Sequence, residues 1–305
     1  MASRSSRSSS RKPLTFQPPQ VPTQPVTTNH ATISIEMDRD NSRRMTLMLD
    51  GAPSSFIDLD DPTNVVFEYM EIYLCVIAQI SPGPLHVTHL GSAGSSMARA
   101  IEALRPDSRQ IGIDIDAQLL EYSRQWFALP RSPRLRLRAG DAREQLERIA
   151  DHSQDVIIRD AFSSGAIPEH LTSVQFTQLV FRKLKPGGLY LINCADKPPL
   201  SRARSEVATL LAQCAAANAA AEWQGEEFHS AQTFVIAEPG IMKGRRYGNL
   251  VLGALSPTGA TEPLLDPESA TLGRAVRSLA VPARVLMGDE VAQFAGTAAV
   301  LSDPE

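Results

Sequence analysis

His86-Val87-Thr88-His89-Leu90-Gly91-Ser92-Ala93-Gly94-Ser95-Ser96 reads as a short strand that runs straight into a loop of small residues and then into a helix. Small side chains at such a turn let backbone N–H groups approach a ligand at the mouth of the following helix, which is how many α/β proteins hold nucleotides. Small-residue turns are also common in their own right, and the glycine spacing here is degenerate. The next strand sharpens the reading. Gln110-Ile111-Gly112-Ile113 ends in Asp114-Ile115-Asp116, and Asp114 lies 23 residues beyond Gly91. A carboxylate at that place accepts both hydrogen bonds of a ribose diol, with Ile115 beside it. The same residues also fit a plain strand-end turn with Asp116 capping the next helix.

Working outward, a third strand at Leu135–Arg138 ends in Ala139-Gly140-Asp141-Ala142, where Asp141 suits either the amino edge of an adenine or a helix N-cap. A fourth, Val156–Ile158, runs into Arg159-Asp160, and a fifth covers Leu189–Asn193. Helix-like patterns occupy Ser95–Leu104, Ala117–Ala128, Ala142–Ile149 and Ser173–Leu184, and Lys185-Pro186-Gly187-Gly188 reads as a firm stop. This alternation predicts an α/β fold with a mostly parallel sheet. In such a sheet the carboxyl ends of the strands open on one crevice, so Gly91, Asp114, Asp141 and Asp160 share it. Asp160 is therefore read as the active-site carboxylate, with loop capping as the plainer role, and Arg159 as a solvated residue on the opposite face. An Ala-rich helix over Arg202–Ala221 and strands at Thr233–Ala237 and Asn249–Leu255 complete the sheet.

Residues 1–28, rich in Ser and Arg and then in Pro and Gln, are expected to form an unstructured tail. Residues 29–63 read as a small β-domain, with strands at Ala31–Met37, Met45–Leu49 and Ser55–Leu59, and residues 64–305 as the catalytic domain, opening with a helix over Asn64–Gln79. The chain has a net charge of −4, yet its first thirty residues hold Arg4, Arg7, Arg11 and Lys12 and no acid, so the remainder is at −8. That charge argues against nucleic acid and suits a cationic substrate. Cys75, Cys194 and Cys214 show no ligand spacing and the histidines lie in separate segments, so no metal is expected and a reducing cytoplasm fits. The longest apolar run, Val207–Ala221, is broken by Gln213 and Asn218, which argues against a membrane span.

The order of small-residue loop, Ile113-Asp114-Ile115-Asp116, Gly140-Asp141-Ala142 and Asp155-Val156-Ile157-Ile158-Arg159-Asp160-Ala161-Phe162 resembles the polyamine synthase family. These are the aminopropyltransferases that include spermidine synthase, built on the fold of S-adenosylmethionine-dependent methyltransferases. Met45-Thr46-Leu47-Met48-Leu49-Asp50-Gly51, Phe67-Glu68-Tyr69-Met70 and Leu184–Asn193 extend the match over more than half the chain. The resemblance implies a methyltransferase-like Rossmann-type sheet with a small N-terminal β-domain. It implies decarboxylated S-adenosylmethionine as co-substrate, with no permanently bound cofactor, a polyamine acceptor, and a cytoplasmic homodimer. By the same resemblance Gly91, Ser92, Ala93, Gly94, Asp114, Ile115, Asp141 and Ala142 contact the nucleoside and Asp160 is the catalytic carboxylate. The family's helix Tyr and His fall at Phe67 and Tyr73, which leaves Tyr69 to supply the phenol. Gly94 stands where the family's GGGDGG loop has its Asp, and residues 161–168 lack the family's second Asp. An S-adenosylmethionine-dependent methyltransferase and a non-catalytic nucleoside-binding member of the family are the alternative readings.

Overall fold

Two sheets of opposite character follow from the two kinds of apolar patterning. The computed structural model describes residues 20–163, 165–222, 229–259 and 261–303. Alternating sequence near the N-terminus builds an antiparallel sheet of β1 (Val26–Thr27), β2 (Thr32–Met37), β3 (Arg44–Leu49) and β4 (Ala52–Asp58), in that order. Its period of two turns Ile33, Met45, Leu47 and Ile57 to one buried face. The expected tail is corrected at its end: Val26 and Thr27 pair with Ile33 and Thr32 and extend the sheet. Residues 1–19 of that tail lie outside the described residues.

From α1 (Glu68–Gln79) onward, strands and helices alternate as β5 (His86–Leu90), α2 (Ser96–Leu104), β6 (Arg109–Asp114), α3 (Ala117–Trp126), β7 (Leu135–Ala139), α4 (Ala142–Glu147), β8 (Gln154–Arg159), α5 (Val174–Lys183) and β9 (Leu184–Asp196). These five strands run parallel. After α6 (Ser201–Glu222) come β10 (Gln232–Ala237), α7 (Pro239–Met242), β11 (Gly248–Leu255), α8 (Ala270–Arg277), β12 (Arg284–Met287) and α9 (Asp289–Ala295). The order across this sheet is β12-β10-β11-β9-β8-β5-β6-β7, with β11 antiparallel to β9 and β10 antiparallel to both its neighbours. As expected, α5 ends just before Lys185–Gly188, and that stretch lies within β9 as an irregularity, after which pairing with β8 resumes at Val156↔Leu189. Elements α8, β12 and α9 were not legible because they are short; α8 buries only Leu272 and Val276 of its eight residues.

Both faces of the large sheet are covered, as parallel strands require. Tyr190, Ile192 and Cys194 of β9 point to the side of α5 and α6, and Leu189 and Leu191 to the side of α1 and α8. The small sheet lays its apolar face on Ala98 of α2 and on Leu119 and Trp126 of α3. Polar ties fix that docking: Arg99 donates to the Asp58 carbonyl at 2.9 Å and the Gly94 amide to Ser55 Oγ at 3.1 Å. Near the C-terminus, Asp303 receives both Nη atoms of Arg143 at 2.7 Å. Among the described residues no helix is long and apolar enough to cross a membrane.

Candidate active site

The carboxyl ends of β6, β5, β8 and β9, the start of β11, the face of α1 and the rim of the small sheet enclose a cavity of about 780 Å³. Asp160 follows β8 directly, its amide donating to the Leu90 carbonyl at 2.8 Å. Its Oδ2 accepts from the Tyr69 hydroxyl and its Oδ1 from Asn193 Nδ2, each at 2.8 Å. Burial pushes this carboxyl above its ordinary range, opposed by the bonds from Asn193 and Tyr69 and by the charge of Arg159. Such a group is a stronger proton acceptor than an exposed aspartate. Tyr69 and Tyr73 stand edge to face at 5.6 Å on α1, and burial beside Asp160 holds both phenols protonated.

Gly91 is where the loop passes closest to the carboxylate. Its φ is +86°, and a Cβ there would stand 2.3 Å from the Asp160 carbonyl oxygen, so only glycine fits. Beyond it, Ser92 and Ala93 donate their amides to Asp114 Oδ2 at 3.0 and 2.8 Å, and the Asp116 amide reaches Oδ1 at 3.1 Å. Asp114 thus ties the loop to β6 and lines the cavity, with acceptor capacity left on Oδ1. Ile115, also on the wall, is 48% exposed, an apolar surface open to a flat ring. Asp116 caps α3 through the Leu119 amide and accepts from Thr28 Oγ1.

The structure therefore brings Asp160, Tyr69, Gly91, Ser92, Ala93, Asp114 and Ile115 onto one cavity, and leaves Gly94, Asp141 and Ala142 off its wall. Gly94 is pressed against the small sheet, with no room for a side chain: a Cβ would meet Ser55 Cβ at 2.8 Å. Asp141 is an N-cap, accepting from the Arg143 and Glu144 amides at 2.9 and 3.1 Å, while its Oδ2 bonds His170 Nε2 at 2.7 Å. Ala142 is buried in the core. Arg159 is also corrected: rather than solvated it is 1% exposed, beneath the sheet, and paired with Glu206 of α6. Asn193, Tyr73, Phe162, Tyr247 and Asn249 line the cavity without having been read as site residues. Asn193 ends an apolar strand and Tyr73 falls where the family has its helix His, but neither position in the sequence declared a place on the cavity wall. His89 also borders the cavity, but burial lowers its pKa to about 4, so it is neutral near pH 7.

A mostly parallel sheet with a nucleoside-sized cavity at its carboxyl edge, an acidic residue at the second strand and a half-buried carboxylate at the fourth defines a protein of the methyltransferase-like Rossmann class. Residues 68–222 match the family model described as spermine/spermidine synthase domain, and the chain belongs to that family. A probable spermidine synthase from Corynebacterium glutamicum superposes with a TM-score of 0.78 at 31% identity, over 94% of this chain and 98% of that one. The spermidine synthase of Thermotoga maritima shares the fold, with a TM-score of 0.53 at 17% identity over 85% of this chain and 78% of its own. Among curated proteins, the polyamine aminopropyltransferase of Neisseria meningitidis serogroup A is 29% identical over 154 residues, 50% of this chain and 58% of that protein. That of Chromobacterium violaceum is 30% identical over 146 residues, 46% of this chain and 53% of its own. The chain thus spans just over half the length of the curated relatives it matches.

Proposed function

We propose that this protein is an aminopropyltransferase that uses decarboxylated S-adenosylmethionine as co-substrate and an amine as acceptor. The observation that carries this reading is Asp160, a half-buried carboxylate fixed by Tyr69 and Asn193 on the wall of a cavity, beside a nucleoside-type loop. Asp114, fixed by the Ser92 and Ala93 amides, takes the ribose side beside Gly91, and Ile115 supports the adenine, with Asp141 and Ala142 at the neighbouring strand end. Asp160 accepts a proton from the acceptor ammonium, and the freed nitrogen lone pair attacks the carbon beside the sulfonium. The new C–N bond forms as the C–S bond breaks, and its electron pair returns to sulfur as the neutral thioether methylthioadenosine. Tyr69 and Asn193 hold the carboxylate toward the nitrogen throughout. Residues 29–63 and 64–303 act as two parts of one catalytic unit, in a cytoplasmic protein that functions as a homodimer without nucleic-acid or membrane partners.

Release of methylthioadenosine from the decarboxylated donor in the presence of amines tests the reading. Replacing Asp160→Asn keeps the shape and removes the proton acceptor, and the rate is expected to fall by about 10² to 10⁴ with donor binding retained. Turnover at the wild-type rate in that variant, or transfer of a methyl group from intact S-adenosylmethionine, would rule the assignment out.

A further inference from the structure

Arg159 and Glu206 form the most deeply buried ion pair among the described residues, and the pair is incompletely satisfied: Arg159 Nε and Glu206 Oε1 have no hydrogen-bond partner. Taking two charges out of water is costly, unsatisfied polar atoms add to that cost, and a well-packed apolar pair often serves stability as well. The position itself calls for an apolar side chain. Ile157, two residues earlier on the same face of β8, lies in the hydrophobic core. What Arg159 supplies there and an apolar residue does not is a rigid, two-pronged donor.

Both prongs are in use. Nη2 pairs with Glu206 of α6, and Nη1 donates to the Leu171 carbonyl at 2.9 Å. Leu171 closes the single 3₁₀ turn Glu169–Leu171, which follows the stretch that puts Phe162, Ser163 and Gly165 on the cavity wall. One end of that stretch continues from Asp160, the residue after Arg159, and the other end is gripped by the Arg159 side chain. Within it the Ser163 and Ala166 amides each donate to the other's carbonyl, at 2.7 and 3.0 Å. One helical turn before Glu206, Arg202 of α6 donates to the Ile167 carbonyl at 3.4 Å. Helix α6 therefore holds the foot of this stretch twice, once directly and once through Arg159.

We infer that Arg159, aimed by Glu206, is a positioning residue: its fork fixes the stretch that follows Asp160 and so sets the cavity wall beside that carboxylate. Neither side chain touches the reacting atoms. The kinetic consequence rests on the aminopropyl-transfer reading, because a wall that shifts by a fraction of an ångström misaligns the attacking nitrogen with Asp160 and with the carbon it attacks. The nucleoside side is held separately, by the Ser92 and Ala93 amides on Asp114.

Two variants separate position from stability. Arg159→Met combined with Glu206→Leu removes both charges together and leaves neither unpaired, whereas Arg159→Lys keeps the ion pair but has one ammonium for the places of two Nη atoms. Hydrogen exchange read by mass spectrometry on peptides spanning residues 161–168 should be about tenfold faster or more in both variants than in the wild-type protein. With decarboxylated S-adenosylmethionine as donor and 1,4-diaminobutane, spermidine and butylamine offered in turn, kcat should fall by about tenfold or more in both, while the Kd of methylthioadenosine stays within about twofold. Retained methylthioadenosine binding shows that a variant is folded. Wild-type exchange and kcat in the double variant overturn the inference, and so does full recovery in Arg159→Lys, which reduces the pair to an element of stability. Loss of methylthioadenosine binding in both variants overturns it as well, since the effect then spreads over the whole site. A wild-type protein that releases no methylthioadenosine with any of the three amines overturns the transfer reading instead, and the exchange rates decide the inference by themselves.

Discussion

Asp160 has to be ionised before it can take a proton, so the direction of its pKa shift governs the acid limb of the reaction. Burial raises it, and the hydrogen bonds from Asn193 and Tyr69 pull it back. Activity is therefore expected to fall as pH drops through a value above that of a free aspartate. Tyr69→Phe removes one lowering bond, so the limb of kcat/KM should move to higher pH, a shift that a merely structural role for Tyr69 would not produce; a pH profile of the two proteins measures it. Asp160 and Asp114 were legible from sequence because a carboxylate directly after an apolar strand declares its place locally. Asn193 and Tyr73 were not, since their roles arise from the adjacency of β9 to β8 and from the docking of α1. Asp141 stands at the strand end expected of it and caps α4, a role that looks in sequence like a ligand contact, while the packing of Gly94 against the small sheet arises only from tertiary contacts.

Arg159 and Glu206 join β8 to α6 beneath the sheet, 47 residues apart and both nearly inaccessible to solvent. Strand alternation showed which face Arg159 occupies but not that a helix carries its partner there. Removing one member, as in Glu206→Leu, leaves a buried charge unpaired and is expected to cost about 3 to 5 kcal/mol, whereas Arg159→Met with Glu206→Leu should recover most of it. Denaturant titration of the three proteins decides. At the other side of the molecule, Asp58 ends β4. Burial opposes its charge, but donors from Asn64, the Asp61 and Asp60 amides and Arg44 hold its pKa at about 2. A depressed carboxyl stabilises the fold above its unfolded pKa and loses that contribution as pH falls toward the folded one. With Arg44 partly in solvent, Asp58→Asn should cost about 1 to 2 kcal/mol near neutrality, and the gap to wild type should close between about pH 4 and pH 2. Melting temperatures across that range test the sign.

The alternation of strands and helices from residue 86 to residue 196 made the parallel sheet readable, because each element carries its own period and its own stop. The last third of the chain was less so: β10, β11 and β12 owe their order to pairing between distant strands, and residues 256–303 form elements too short to show a period. Neither half of the molecule encloses the cavity alone. Leu49 and Ser55 of the small sheet, with His30 and Asp50 in its turns, line it together with Gly91, Asp114 and Asp160 at the strand ends of the large one. A nucleoside lodged there would work as a rivet, since it touches both plates and every detachment of the small sheet must first expel it. Methylthioadenosine at about 100 times its Kd should then raise stability by about 2.7 kcal/mol. In limited proteolysis the same ligand should slow cleavage within residues 20–66 more than cleavage in the exposed turns at the far edge of the large sheet, so that occupancy of the site is written into the lifetime of the N-terminal segment.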